Sequence, residues 1–400
     1  MSIDNNMVKQ IYARAQRKFF VKNMAMALAN REPGDALKVQ GGRKYHRPII
    51  GFAQMQSYTP LTATSVSQNI ETANEELTVD RATDAESIHI NIDDTEKAQL
   101  KDQDLVARYG DDLGQAMKDS VEKRWVGNIE SVQTLGSAAA PIDFSGTTIL
   151  DTVEDGLGLV DVADIDEIQR VILMGPRAYR AIEKATANRA TVLGDQTYLG
   201  GYPARSLMDS MLVKSNNLPW SATLAMGTAP SNNDTVTVAG VTATYKATLT
   251  GAENEILIGA NVAASRANTI AYFIGTGTVG TDYSNPDIIQ RMYLRRNRRI
   301  GVTESSANLL FTGFGDVGTA ETFTAGGNIW SAEVTKMFFT AVGATDLALQ
   351  LDEGIEMSRP KPMTGEAHFT RLSGVTMHNA KTFTDGKYMT VTTFVDASDY

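Results

Sequence analysis

Between residues 57 and 127 the pattern of apolar and polar positions changes twice. Residues 57–84 (SYTPLTATSVSQNIETANEELTVDRATD) are polar, acidic and rich in turn formers. With little to bury, they predict a protruding hairpin or long loop. From Ser87 to Ile92 the chain alternates, with Ile88, Ile90 and Ile92 on one face and Ser87, His89 and Asn91 on the other, a half-buried strand. Beyond Asp93-Asp94 the period lengthens. Leu105, Tyr109, Leu113, Met117, Val121 and Trp125 recur at helical spacing, which predicts a long helix to about residue 127. Asp93 and Glu96 have the spacing of a capping box at its start. Gly110 and Gly114 each weaken it by roughly 1 kcal/mol relative to alanine, yet on one face they admit another backbone. One strand, one exposed helix and a polar excursion bury little core alone. Such parts complete their packing against copies of themselves, so the chain reads as built to assemble.

The rest of the chain is more regular. Residues 6–30 carry a helical pattern that Glu32-Pro33-Gly34-Asp35 is expected to break, and 44–56 reads as an extended arm. A second lobe begins near residue 146. There the apolar strand 167–175 runs into a helix opened by Pro176, followed by a Gly-rich turn at 199–203 and a strand at 212–216. Residues 221–328 are dominated by Thr, Ala and Gly. Alternation on both sides of Ala239-Gly240 signals a hairpin, and Ala263–Ile274 a small helix. This predicts an inserted α+β module with its own small core. Strand-forming sequence resumes at 333–357 and closes through Gly374–Met377 to Tyr388–Val395.

Composition narrows the class. A chain of 400 residues exceeds the roughly 250 to 300 at which one core stops growing, so two or more lobes are expected. Hydrophobic residues at 42% and charged residues at 21% are ordinary for a globular protein. No apolar run approaches the ~20 residues of a membrane helix, and the first residues lack the apolar core of a signal peptide. No membrane partner is expected. The absence of cysteine removes disulfides, thiolate catalysis and zinc–thiolate sites.

Charge changes the picture further. The net charge of −10 is uneven: residues 1–48 hold ten Lys and Arg against three acids, a net +7, and residues 61–104 hold eleven acids against three bases, a net −8. One reading is two solvated faces. Another is complementary segments that meet between subunits, with Arg14, Arg17, Lys18, Arg43, Lys44 and Arg47 facing Glu71, Glu75, Glu76 and Asp80. A third sets the basic arm against nucleic acid, as bulk contact and not base readout. The densest basic run, Arg291, Arg295, Arg296, Arg298 and Arg299, reads as a solvated or partner-facing strand, or as a contact to an acidic partner or phosphate.

Candidate chemistry is sparse. Gly275-Thr276-Gly277-Thr278-Val279-Gly280 matches G-x-G-x-x-G, but loop and not an apolar helix follows it, so a flexible loop is the expectation. His46, His89, His368 and His378 show no metal-ligand spacing. Asp111-Asp112 point apart on a helix, which suits solvation. No catalytic, cofactor or metal residue is expected.

The order of parts resembles the major capsid proteins of tailed bacteriophages, with the Hong Kong 97-like fold. Four stretches carry the resemblance: 87–127 as strand and spine helix, 170–219 as axial strand, helix and loop, 333–363 as return strands, and 374–397 as closing strands. The resemblance implies an α+β chain with an N-terminal arm (1–56), an extended loop (57–86) and a peripheral domain with its spine helix (87–145). An axial domain in two parts (146–220 and 329–373), an insertion domain (221–328) and closing peripheral strands (374–400) follow. It implies a shell subunit, not an enzyme, forming hexamers and pentamers around packaged double-stranded DNA in a virion assembled in the host cytoplasm. It admits a separate scaffold, a portal and decoration proteins as partners. The chain opens on the arm with no long helical leader, so a fused scaffold is not expected. An encapsulin-like cellular shell stays open as an alternative, as does an enzyme whose site is built from distant residues.

Overall fold

The computed structural model describes residues 10–11, 13–15, 17, 23–40, 44–50, 72–93, 102–144, 148–162, 169–187, 206–207, 209–284, 287–315, 317–324, 328–331, 333–350, 355–358 and 369–396. Contacts divide the chain into two units, Met1–Asn128 with Thr345–Phe383, and Ile129–Ala344 with Thr384–Tyr400.

The first unit is organised by the helix Asp102–Gly127. Tyr109, Leu113, Met117, Val121 and Trp125 are all buried, as their recurrence predicts. The side chain of Leu105 lies outside the described residues, as does Glu96. Asp93 does not cap the helix. It ends the strand Ala85–Asp93, paired with Phe369. At Gly110 the close approach that glycine permits does occur, against the reading of simple tolerance: a Cβ there would stand 3.2 Å from the Ile11 carbonyl oxygen.

Two expectations about the first forty residues fail. The helical pattern is interrupted at Asn23, whose side chain accepts the Met26 N–H and caps a short helix, Met24–Leu28. Glu32-Pro33-Gly34-Asp35 breaks nothing and instead opens the helix Glu32–Gln40. The Asn30 side chain accepts the Glu32 N–H at 3.1 Å. Proline is tolerated in a first turn, where its missing amide has no partner to lose, and Glu32 and Asp35 suit the positive helix end.

Lys44–Ile50 and Thr72–Thr78 form an antiparallel ribbon in register from Lys44↔Thr78 to Ile50↔Thr72. Its foot is not the core-free loop expected from 57–84. Leu77 and Val79 are 2% and 0% exposed and join Leu37, Ala348, Met377 and Phe383 in one cluster. The period-two pair Leu77, Val79 is an inward face in an otherwise polar stretch. A sheet completes the unit: Phe369–Lys381 pairs with Asp346–Gln350, Ile355–Ser358 and Ala85–Asp93.

The second unit contains a ten-stranded sheet. Its centre is Val334–Ala341, flanked by Arg170–Met174, by Val391–Asp396 and, over two residues, by Pro219–Met226. The helices Thr148–Asp161 and Pro176–Ala187 contribute to its core with Ile172, Met174, Met337 and Phe339. Gly156 is where the first of these helices meets the sheet, because a Cβ there would fall 2.4 Å from Cε2 of Phe339. The closing segment is shared differently from the sequence division at 373/374. Phe369–Lys381 belongs to the first unit, whereas Val391–Asp396 pairs with Val334–Ala341 in the second.

Residues 220–330 hold a cluster of their own around Trp220, Tyr245, Tyr272, Phe273 and Phe311. Thr235–Val238 and Val241–Lys246 form the expected hairpin, with Ala239 and Gly240 at φ 54° and 75°. The helix Val262–Ile270 continues into a π-turn, Ala271–Gly275. One strand joins the module's core to the rest of the ten-stranded sheet. Pro219–Met226 pairs along its length with Asn308–Phe314, and also at Ser221 and Trp220 with Val334 and Thr335 of the main sheet.

Candidate assembly surfaces

The candidate residues of the arm and loop are placed by the ribbon and by the helical residues near its base. Arg47 and Glu75 stand opposite each other across the ribbon, as do His46 and Glu76. Lys44 Nζ reaches Glu76 Oε1 at 2.7 Å. The hydrogen bond from Lys44, then that from Thr78, holds the Glu76 carboxyl below its usual range. Arg14 makes a two-pronged pair with Asp111, Nε to Oδ1 at 3.0 Å and Nη2 to Oδ2 at 2.9 Å. Asp111, expected to be solvated, is therefore the partner of the arm.

The complementary charges thus meet, but inside one chain. Lys44, Glu76 and Arg14 are engaged within the first unit. Asp80 is a helix cap, accepting the Ala82 N–H at 3.1 Å. Arg17 is exposed, and Lys18, Arg43 and Glu71 lie outside the described residues.

Asparagine and lysine side chains tie the ribbon to the strand beside it. Lys381 Nζ donates to the Glu76 carbonyl at 2.7 Å and Asn379 Nδ2 to the Thr78 carbonyl at 2.8 Å. Asp84 accepts from Arg124 and from the Asp80 N–H, fixing the corner after the ribbon. Buried polar residues of this kind, which sequence reading passed over, carry no periodic signal. Only their pairing across long separations reveals them.

The basic cluster of the second unit is not a strand. Arg291 ends the helix Ile288–Met292, and Arg295 and Arg296 lie in the π-turn Tyr293–Asn297 that follows. Arg295 donates to the Tyr272 and Phe273 carbonyls at 3.2 and 3.4 Å. Arg298 Nε donates to the Tyr293 hydroxyl at 2.9 Å. These two cations close unsatisfied helix-end carbonyls and brace a ring, which a run of arginines in sequence does not reveal. Arg299 is exposed with φ 48°, and the side chain of Arg296 lies outside the described residues. The G-x-G-x-x-G segment forms a closed turn in which Asp282 Oδ2 accepts the Thr278 N–H at 2.7 Å. Among the described residues no three acids or histidines gather as a metal site, and no helix is long and apolar enough to cross a membrane.

No family model matches the chain, and no curated protein matches it. Solved structures do. The structure named Mycobacterium phage Che8 is 10% identical, with 95% of this chain and 93% of that one covered at a TM-score of 0.50. The capsid structure of the Cyanophage P-SCSP1u is 13% identical, with 88% and 84% covered at 0.45. The asymmetric unit of the bacteriophage PhiM1 mature capsid is 7% identical, with 88% and 82% covered at 0.43. The first likeness runs through nearly the whole of both chains and defines the class: this is the α+β, Hong Kong 97-like fold. The identity is too low to carry more than the fold.

Proposed function

We propose that the chain is a major capsid protein, a subunit that assembles into the icosahedral shell around packaged double-stranded DNA of a tailed phage. The observation that carries this reading is the near end-to-end likeness to the phage structure at a TM-score of 0.50. The ribbon Lys44–Ile50 with Thr72–Thr78 supports it, as a polar two-stranded extension joined to the unit through Tyr45, Arg47 and Leu77. The role is geometric and not catalytic. Hexamers and pentamers bring each subunit several interfaces, so that modest contacts accumulate. DNA contact is by bulk charge, the virion is the destination and the host cytoplasm the place of assembly. Electron microscopy and sedimentation of the purified chain test this. Closed shells or capsomer rings are expected; a monomer under all assembly conditions overturns the reading.

A further inference from the structure

A cleft of about 490 Å³ opens on the second unit, lined by Arg177, Tyr293, Arg298 and the backbone of two turns, at Ala239-Gly240 and Gly318-Thr319. Its two cations come from different elements. Arg177 is exposed in the first turn of the helix Pro176–Ala187, and Arg298 follows the π-turn Tyr293–Asn297. Arg298 is held in place: its guanidinium lies 5.3 Å over the Tyr293 ring, and Nη1 donates to the Phe314 carbonyl at 3.4 Å. Among the described residues no carboxylate lines the cleft. Glu333 is 5% exposed, turns Oε1 to the Thr319 N–H and hydroxyl, and feels the charge of Arg177. Two cations against one buried carboxylate leave the mouth positive, with the Arg298 guanidinium held and that of Arg177 exposed.

Its complement stands on the same unit. The helix Thr148–Asp161 buries Ile149, Leu150, Val153, Leu157 and Val160 and exposes Asp151, Glu154 and Asp155 on the other side. Positions separated by three and four residues share a face, so these carboxylates repel one another. The helix carries no Lys or Arg, and among the described residues none of the three acids pairs with a cation. Asp161, at the helix end, has Arg170 at 2.5 Å. A positive cleft and an unneutralised acidic face on one unit satisfy each other across two copies, in a head-to-tail contact that a ring can close.

We infer that the Arg177/Arg298 cleft of one subunit receives the Asp151/Glu154/Asp155 face of a second copy. This rests on the shell-subunit reading and adds which surfaces the copies use. Arg177→Glu is expected to slow assembly roughly tenfold at low salt, as is Asp151→Lys with Glu154→Lys and Asp155→Lys. Placing both sets on one chain restores the rate, and mixing the two singly reversed chains restores six-membered rings, where clefts and helices match in alternation, but not five-membered ones. Assembly unchanged by reversal, or no recovery in either combination, overturns the inference while leaving the capsid reading intact. A wild-type chain that never assembles overturns both.

A second measurement covers a reversed chain that melts early. Arg177→Lys keeps the charge and supplies an amine for carbodiimide cross-linking. In assemblies of isotopically heavy and light subunits, peptide mass spectrometry should find position 177 of one copy joined to position 151, 154 or 155 of another. Cross-chain products that lack these pairs sink the proposal.

Discussion

The guanidinium of Arg47 stands 3.6 Å from the carboxylate of Asp346, which is fully buried. Arg47 comes from the first ribbon strand and also lies 5.4 Å over the Phe383 ring, whose other cation, Lys381, is at 5.2 Å. Asp346 is held from a second side by Asn30 Nδ2 at 2.9 Å. The ribbon is thus anchored by one cation against a desolvated acid, a stronger tie than its exposed pair Lys44–Glu76.

Removing either partner should show this difference. Arg47→Ala takes a cation away from a buried carboxylate, and is expected to lower stability by about 2 to 3 kcal/mol, somewhat below a fully buried pair because Arg47 is partly exposed. Lys44→Ala should cost far less, since its partner is screened by solvent. Urea denaturation of both variants checks the ranking; equal losses would show that the Asp346 contact is not an anchor.

Two glycines on one helix make opposite predictions. Gly156→Ala drives a methyl group into the Phe339 ring and should destabilise by about 1 to 3 kcal/mol. At Gly158 nothing lies within 4 Å, so Gly158→Ala should stabilise by about 0.5 to 1 kcal/mol through helix propensity alone. Thermal melts of the pair decide it. A stabilised Gly156→Ala would mean that the helix does not sit on the sheet at that residue.

These cases mark what was legible in the sequence. Periodic signals survived: the long helix, the strand at 85–93, the Pro176 helix and the hairpin at Ala239-Gly240 all depend on local spacing, and all are present. Partnerships did not survive, because they join distant residues. Nothing near Arg14 points to Asp111, and nothing near Arg47 points to Asp346. Glu32-Pro33-Gly34-Asp35 misled because breakers inside a helix are good openers of one. The module boundary drawn at residue 221 cuts the strand Pro219–Met226, because its alternation does not say which strands of one sheet it will join.

That strand sets the expected result of removing the module. Replacing 221–328 by a short linker takes away the pairing of Ser221 with Val334, but Val334–Ala341 keeps its neighbours Arg170–Met174 and Val391–Asp396. The remaining core should fold, with a lower melting temperature and more aggregation from the newly open edge. Circular dichroism and gel filtration report it. A chain without a cooperative melt would mean that the module is integral to the main sheet.

Acid should act on Glu333 and on Glu76 with opposite sign. Burial pushes the Glu333 carboxyl above its usual value, against the opposing donors of Thr319 and the charge of Arg177. A raised folded value means the native state binds the proton more tightly, so this contribution is present at low pH and lost as pH rises through the raised value. Stability of the second unit should therefore gain from Glu333 as pH falls from neutral through the raised value. Glu76 runs the other way. Its lowered value gives a contribution present above the usual carboxylate range and lost as pH falls through it. Calorimetry across pH on Glu333→Gln should remove the first slope; an unchanged slope would place its origin elsewhere.

The ribbon separates folding from assembly. Ile50 and Thr72 are paired in register, so their backbones are close enough for a tight turn to join them. Replacing 51–71 by Asn-Gly keeps Leu77, Val79 and the Asp346 anchor, all of which lie outside the deleted residues. The monomer should therefore fold with nearly the wild-type melting temperature. A deletion carried on to residue 83 would instead remove Leu77 and Val79 from the core, costing several kcal/mol, and would confuse the two effects. If the excised residues lie over a neighbouring subunit, the shortened chain should remain monomeric or stop at small rings in electron micrographs. Closed shells formed at the wild-type rate would show that the tip takes no part in assembly.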